Sequence, residues 1–197
     1  MKVYKLTNQN MQTYNGFQWE LNKKISVSGE GDLCSDGWLH SYEHPLLAVL
    51  HNPTHANIQN PRFFEAEAEG NIKRDGYMKM GSQHLTLTKE IPLPEISKEQ
   101  KIEYGIRCAK EVCKDEKWNL WADNWLNGID RTVKSAANAA TYATYAAAYA
   151  ANAAAYAAAY AAAYAATYAA AHAASYAKLA NPNINLITIA EKVLKYV

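Results

Sequence analysis

The chain has 197 residues, with 20 Lys and Arg against 19 Asp and Glu and a formal net charge of +1. That length holds one ordinary domain, or a small domain with an appendage, and the near-neutral balance excludes a global field steering the protein toward nucleic acid or an acidic substrate. Only three cysteines occur, Cys34, Cys108 and Cys113, too few and too oddly placed for a disulfide framework.

The opening MKVYKLTNQNMQ lacks the apolar core of a signal peptide, so a cytoplasmic location is expected. Val3, Tyr4 and Lys5 read as a short first strand. Phe17, Trp19 and Leu21 alternate with polar residues, and Ile25 and Val27 do so again after Asn22-Lys23, which predicts a hairpin. His44-Pro45-Leu46-Leu47-Ala48-Val49-Leu50 places Pro at the first position of a short helix, and His51-Asn52-Pro53-Thr54-His55 reads as a polar loop after it. Phe64, Ala66 and Ala68 alternate with glutamates up to Gly70, a half-buried strand with an acidic outer face. Arg74-Asp75-Gly76 signals a turn, and Gln83 to Glu90 is a further strand ended by Pro92 and Pro94. Residues 1–96 are therefore expected to form a small α+β head with a mostly antiparallel sheet and one short helix.

From Ser97 the period becomes helical, and an all-α region is expected over 97–197. Ser97-Lys98-Glu99-Gln100 matches a capping box, followed by Ile102, Ile106 and Ala109 at helical spacing. Trp118, Trp121 and Trp125 line a second helix that stops at Asn127-Gly128. Between Lys134 and Lys178 there is no charged residue at all. Alanine is the best helix former, so one long helix is expected over 130–180, ~75 Å if unbroken. Its large side chains are Tyr142, Tyr145, Tyr149, Tyr156, Tyr160, Tyr164, Tyr168 and Tyr176, with Asn138, Asn152 and His172 in the same series. Up to Tyr156 the spacing averages one helical turn and keeps the row on one face. Beyond it every step is four residues, and the row winds by about 40° per step. Such a row is expected to be buried by helix packing or in a homo-oligomer, since exposed it exceeds what soluble monomers tolerate. The tyrosines recur throughout and do not gather at the two ends, so no membrane span is expected. Leu186, Ile189, Ala190, Val193 and Leu194 form a terminal amphipathic helix over 186–197, expected to fold back on the helix before it.

Chemical motifs are sparse. His40-Ser41-Tyr42-Glu43-His44 matches H-x-x-E-H, but Pro45 disfavours helical geometry at His44, so no metal is expected. The cysteines lack CxxC spacing, no phosphate loop or dinucleotide fingerprint occurs, and basic residues are scattered, so neither a cofactor nor nucleic acid is expected. For a ligand in the head, Trp38, His40 and Glu43 are the candidate residues, clustered at a strand-to-helix turn.

The pattern Gly16-Phe17-Gln18-Trp19, then Leu33-Cys34-Ser35-Asp36-Gly37-Trp38-Leu39-His40, His44-Pro45-Leu46 and Phe64-Glu65-Ala66-Glu67-Ala68-Glu69-Gly70 resembles a family of uncharacterised domains common in tailed-phage and prophage genomes. The resemblance covers roughly residues 1–95, whose members often carry a low-complexity tail. An extra Leu39 and His44 in place of the usual Asn depart from that pattern. Arg107-Cys108-Ala109 and Trp125-Leu126-Asn127-Gly128, leading into alanine-rich helices, are similar to helices of bacterial immunity proteins. The resemblance implies no activity. The expectation is a non-catalytic, phage-encoded binding protein that oligomerises through its Ala/Tyr helices and sequesters a nucleotide-type host defence signal. An enzyme acting on such a nucleotide, with His40 and Glu43 as acid and base, and a virion or assembly component are the alternatives.

Overall fold

The structure is a computed structural model and describes residues 1–142, 148–163 and 169–194. The chain forms two compact units, Met1–Glu95 and Ile96–Val197. The first holds an antiparallel sheet and a short helix, and the second is helical, as the periodicities predict.

In the first unit, strands β1 (Lys2–Thr7), β4 (Arg62–Asp75) and β5 (Lys79–Ile91) lie side by side, all antiparallel. The far edge of β5 carries two short strands end to end: β2 (Lys24–Ser26) opposite His84–Thr86, and β3 (Leu39–Ser41) opposite Met80–Ser82. Just past β3, Tyr42 exchanges two backbone hydrogen bonds with Tyr4, at 2.7 and 2.9 Å. This pair joins β3 back to β1 and curls the sheet into a ring of β1, β4, β5 and β3. The concave side holds Val3, Trp19, Leu39, Phe64, Met80 and Leu85, one side of each strand as period-two alternation requires. Helix α1 (Pro45–His55) packs on the outside against β1, covering Leu46, Leu47 and Leu50.

Several local expectations are corrected. Phe17–Leu21 does not pair with residues 25–27. Gln18 instead bridges Gln12, Leu21 bridges Leu87 in parallel, and Asn22 at φ 60 turns the chain so that β2 can pair with β5. Strand β4 does not stop at Gly70: a bulge between Glu69 and Ile72, with Gly70 at φ 74, re-aims it and pairing continues to Asp75. The polar stretch 51–55 is not a loop but the last turns of α1, with Pro53 inside. Pro53 forgoes the bond its N–H would give to the fourth residue back and its ring crowds that residue's carbonyl, close to the helix end.

The second unit contains α2 (Lys98–Lys110), α3 (Glu116–Leu126), α4 (Val133–Tyr142), α5 (Ala148–Ala163), α6 (Ala169–Ala180) and α7 (Leu186–Leu194). The capping box at Ser97 and Gln100 is formed in both directions, and Asp115 caps α3 by accepting from the Trp118 amide. The single helix expected over 130–180 is replaced, among the described residues, by three: α4 packs on α5 and α5 on α6, with α2 against both α5 and α6. Helix α7 seats on α2 through its apolar stripe, and α2 thereby becomes its main neighbour in place of the helix before it. No helix among the described residues is long and apolar enough to cross a membrane.

Within the single chain, the described tyrosines of the row are half-buried or exposed. The interfaces are filled by alanine, with Ala153, Ala154, Ala157, Ala158, Ala173 and Ala174 buried, while Tyr149 and Tyr156 stay 49% and 37% exposed. Tyr142 and Tyr176 are half-buried; Tyr145, Tyr164 and Tyr168 lie outside the described residues, as does the side chain of Tyr160. Methyl groups let helices approach at the short end of the usual 8–10 Å range. A phenol ring does not fit between backbones so close, and its hydroxyl would need a buried partner. The rings move to the groove edge and stack there: Tyr156 on Tyr176 at 5.5 Å and on His172 at 5.0 Å, Tyr149 on Tyr176 at 6.4 Å. Two contacts show how tight the interior is. Trp118 Nε1 donates to the Ala154 carbonyl of α5 at 3.1 Å, and a Cβ on Gly105 would lie 3.3 Å from the Ala170 Cα.

Enlarging a buried alanine should therefore cost far more than trimming a tyrosine. In urea unfolding, Ala154→Leu is expected to destabilise by about 1–3 kcal/mol or more, and Tyr149→Ser by less than about 1 kcal/mol. The reverse order would contradict alanine packing.

Candidate functional site

The register of β3 determines which side chains meet on the outer face of the head. His40 lies opposite Gly81 and Ser41 opposite Met80, where the ladder ends one residue short of Tyr42 and Lys79. Alternation then puts Trp38, His40, Tyr42 and Lys79 on the side away from Leu39 and Met80. Helix α1 brings His51 and His55 to the same side, one helical turn apart. The His55 ring stacks on Tyr42 at 5.8 Å and on His51 at 5.5 Å, and the Tyr42 hydroxyl and His55 Nδ1 are 2.7 Å apart.

Burial fixes the protonation of this group. It holds the Tyr42 phenol well above its ordinary pKa. It pushes wholly buried His51 down to about 3, with the nearby His55 adding to the effect. His55 falls to about 4, first by burial, then by the charge of Lys79 and by the nearby His40. Tyr42 and His55 are thus both neutral near pH 7 and share one hydrogen bond between the hydroxyl and Nδ1; with the hydroxyl as donor, the ring proton of His55 sits on Nε2. His40 is lowered by burial and by Lys79 and Lys5, against a hydrogen bond to the Leu33 carbonyl that raises it. In that bond the neutral ring donates from Nε2, which leaves Nδ1 as the acceptor.

Lys79 Nζ donates to the Cys34 sulfur at 3.2 Å, while Asp75 is its cross-strand neighbour on β4. Cys34 is exposed and His40, His55 and Lys79 are half-buried, so the patch opens to solvent along one side. Beneath it, on the concave face, Lys5 is buried; its ammonium donates to the His40 carbonyl at 2.6 Å and lies 4.7 Å from the Trp19 ring. Burial lowers its pKa to about 8.

The three residues singled out from sequence are placed as follows. Trp38 is buried over Gly81, where a Cβ would come within 2.8 Å of the Trp38 Cβ, and its Nε1 donates to the Gly31 carbonyl at 3.2 Å. His40 and Trp38 together tie down the loop that precedes β3. Glu43 accepts from Arg74 Nε and Nη2 of β4, at 3.1 and 2.9 Å. Of the three, only His40 belongs to the half-open patch. Sequence reading missed Lys79, Tyr42 and His55; the one available signal was the four-residue spacing of His51 and His55, hidden by Pro53.

Among the described residues no group of three His, Cys, Asp or Glu side chains is arranged to hold a metal. The second unit has an open cavity of about 380 Å³ lined by Lys114, Asp115, Glu116, Lys117 and Tyr142. Its two cations and two carboxylates offset each other and favour no charge class of ligand.

A model of the family described as domain of unknown function (DUF7666) matches residues 1–99. No curated protein and no solved structure matches the chain.

Two stability measurements test these protonation states. Lys5 has a folded pKa below its unfolded one, so the unfolded chain binds more protons between about 8 and 10.5. Stability of the wild type relative to Lys5→Met should then rise with pH across that window, by at most ~1.4 kcal/mol per unit. A flat difference would mean a solvated ammonium. His51 and His55 are likewise depressed, so stability should fall as pH drops from 6.5 toward 4. His55→Phe should remove about one proton's share of that slope, read from urea midpoints.

Proposed function

Taking as premise that the chain belongs to the family described as domain of unknown function (DUF7666), we propose that it is a phage-encoded, non-catalytic binding protein whose head captures a small nucleotide-type ligand. The single observation that carries this reading is the patch on the outer face of the head. There Lys79 presents an ammonium bonded to a thiol, beside half-buried neutral His40 and His55. A cation flanked by imidazole edges offers hydrogen-bond donors to an anion, and a planar base can stack on the neighbouring rings. The resemblance of residues 1–95 to phage and prophage domains supports the source, and a host defence signal is the nucleotide this reading assigns to it. Self-association through the Ala/Tyr helices is part of the proposal, supported by the exposed rings of Tyr149 and Tyr156.

The enzymatic alternative needs His40 and Glu43 free to exchange protons. Both Glu43 oxygens lie within hydrogen-bond distance of the Arg74 guanidinium, and His40 is committed to the Leu33 carbonyl, so the binding reading is preferred.

A thermal-shift screen with cyclic nucleotides and ADP-ribose derivatives tests the proposal. At 100 times Kd a ligand stabilises by about 2.7 kcal/mol, a clear rise in Tm that Lys79→Met should abolish. A rise that survives Lys79→Met would move the site elsewhere; turnover lost in His40→Ala would instead establish the enzyme.

A further inference from the structure

Resting on the reading of this patch as the ligand site of the head, we propose that it takes a phosphate-type oxyanion held jointly by Lys79, His55 and His40, and that the anion brings a proton onto the site. Three donors come from three elements. Lys79 of β5 supplies its ammonium. His55 of α1 has Nδ1 against the Tyr42 hydroxyl, so Nε2 is the nitrogen left to donate to the anion. His40 of β3 has Nε2 on the Leu33 carbonyl, so it can donate only from Nδ1, and only after Nδ1 is protonated.

The groups facing these imidazoles explain why the proton waits for the anion. From β3 and the residue after it come His40 and the neutral phenol of Tyr42. From α1 comes His51, from β5 Lys79, from β1 Lys5 beneath the His40 carbonyl, and from the preceding loop the Cys34 thiol. The charges of Lys79 and Lys5 oppose an imidazolium here, and the facing carboxylate is Asp75, across the ladder from Lys79. A doubly charged oxyanion seated at Lys79 reverses that balance, since a negative charge within a few ångströms favours the charged imidazole. Binding and protonation are then reciprocal: the anion raises proton affinity, and acidification tightens the anion by up to about tenfold per pH unit for each proton taken up.

Inorganic sulfate is the suitable probe, because its own charge is constant from pH 5.5 to 8 and mimics a phosphate dianion. Calorimetric titration of the full chain in two buffers of different protonation enthalpy measures the protons taken up. NMR of the imidazole Cε1–H groups reports which ring gains them. The expected result is sulfate binding that tightens roughly five- to tenfold per pH unit on acidification, with His55 or His40 becoming protonated. His55→Gln should reduce the uptake, and Lys79→Met should abolish binding, both in protein shown by circular dichroism to be folded. Sulfate binding with no pH dependence and no proton uptake would overturn this inference and leave the ligand-site reading standing. Nucleotide-induced stabilisation without any sulfate binding would do the same. Failure of both sulfate and nucleotides to bind would overturn the two together.

Discussion

The head depends on one pair of backbone hydrogen bonds, between Tyr4 and Tyr42. Strand β3 is only three residues long and by itself pairs with β5 alone. The Tyr4–Tyr42 exchange adds a second neighbour, closes the ring with β1 and covers the middle of its exposed edge. It also fixes register. Because side chains alternate with period two, a slip of one residue would turn His40 and Tyr42 inward and Leu39 and Ser41 out. The patch that includes Lys79 and His55 follows from that register.

The same constraint accounts for the electrostatics. Pairing with β1 sets Tyr42 under α1, where its hydroxyl meets His55. Burial keeps both neutral. On the other side of the ladder, Lys5 gives its ammonium to the His40 carbonyl, a costly burial of charge that a hydrogen bond and the Trp19 ring partly offset. The surface pairs of Lys2 with Glu65 and Lys24 with Glu69 are exposed and add little by comparison.

Among α4, α5 and α6 a different rule holds: small side chains set the distance between helices and the described tyrosines lie at the margins, while Trp118 and Tyr104 of α3 and α2 are buried. Much of the chain's organisation was legible in sequence because it rests on local signals: the alternation in Phe63–Glu69, the capping box at Ser97, and the apolar stripe of Leu186–Val193. The illegible parts depended on partners distant in sequence. Which residue faced Lys79 required the β3 register, and the role of His55 required α1 to run past Pro53. Within the chain, the described tyrosine rings find no space between helices that the intervening alanines have drawn together.

The most direct test of the central claim is the tautomer of His55, read from its ¹⁵N imidazole shifts at pH 6.5. The expected result is a neutral ring with its proton on Nε2 and an accepting Nδ1 whose shift moves in Tyr42→Phe. A charged ring, or a proton on Nδ1 in the wild type, would contradict it.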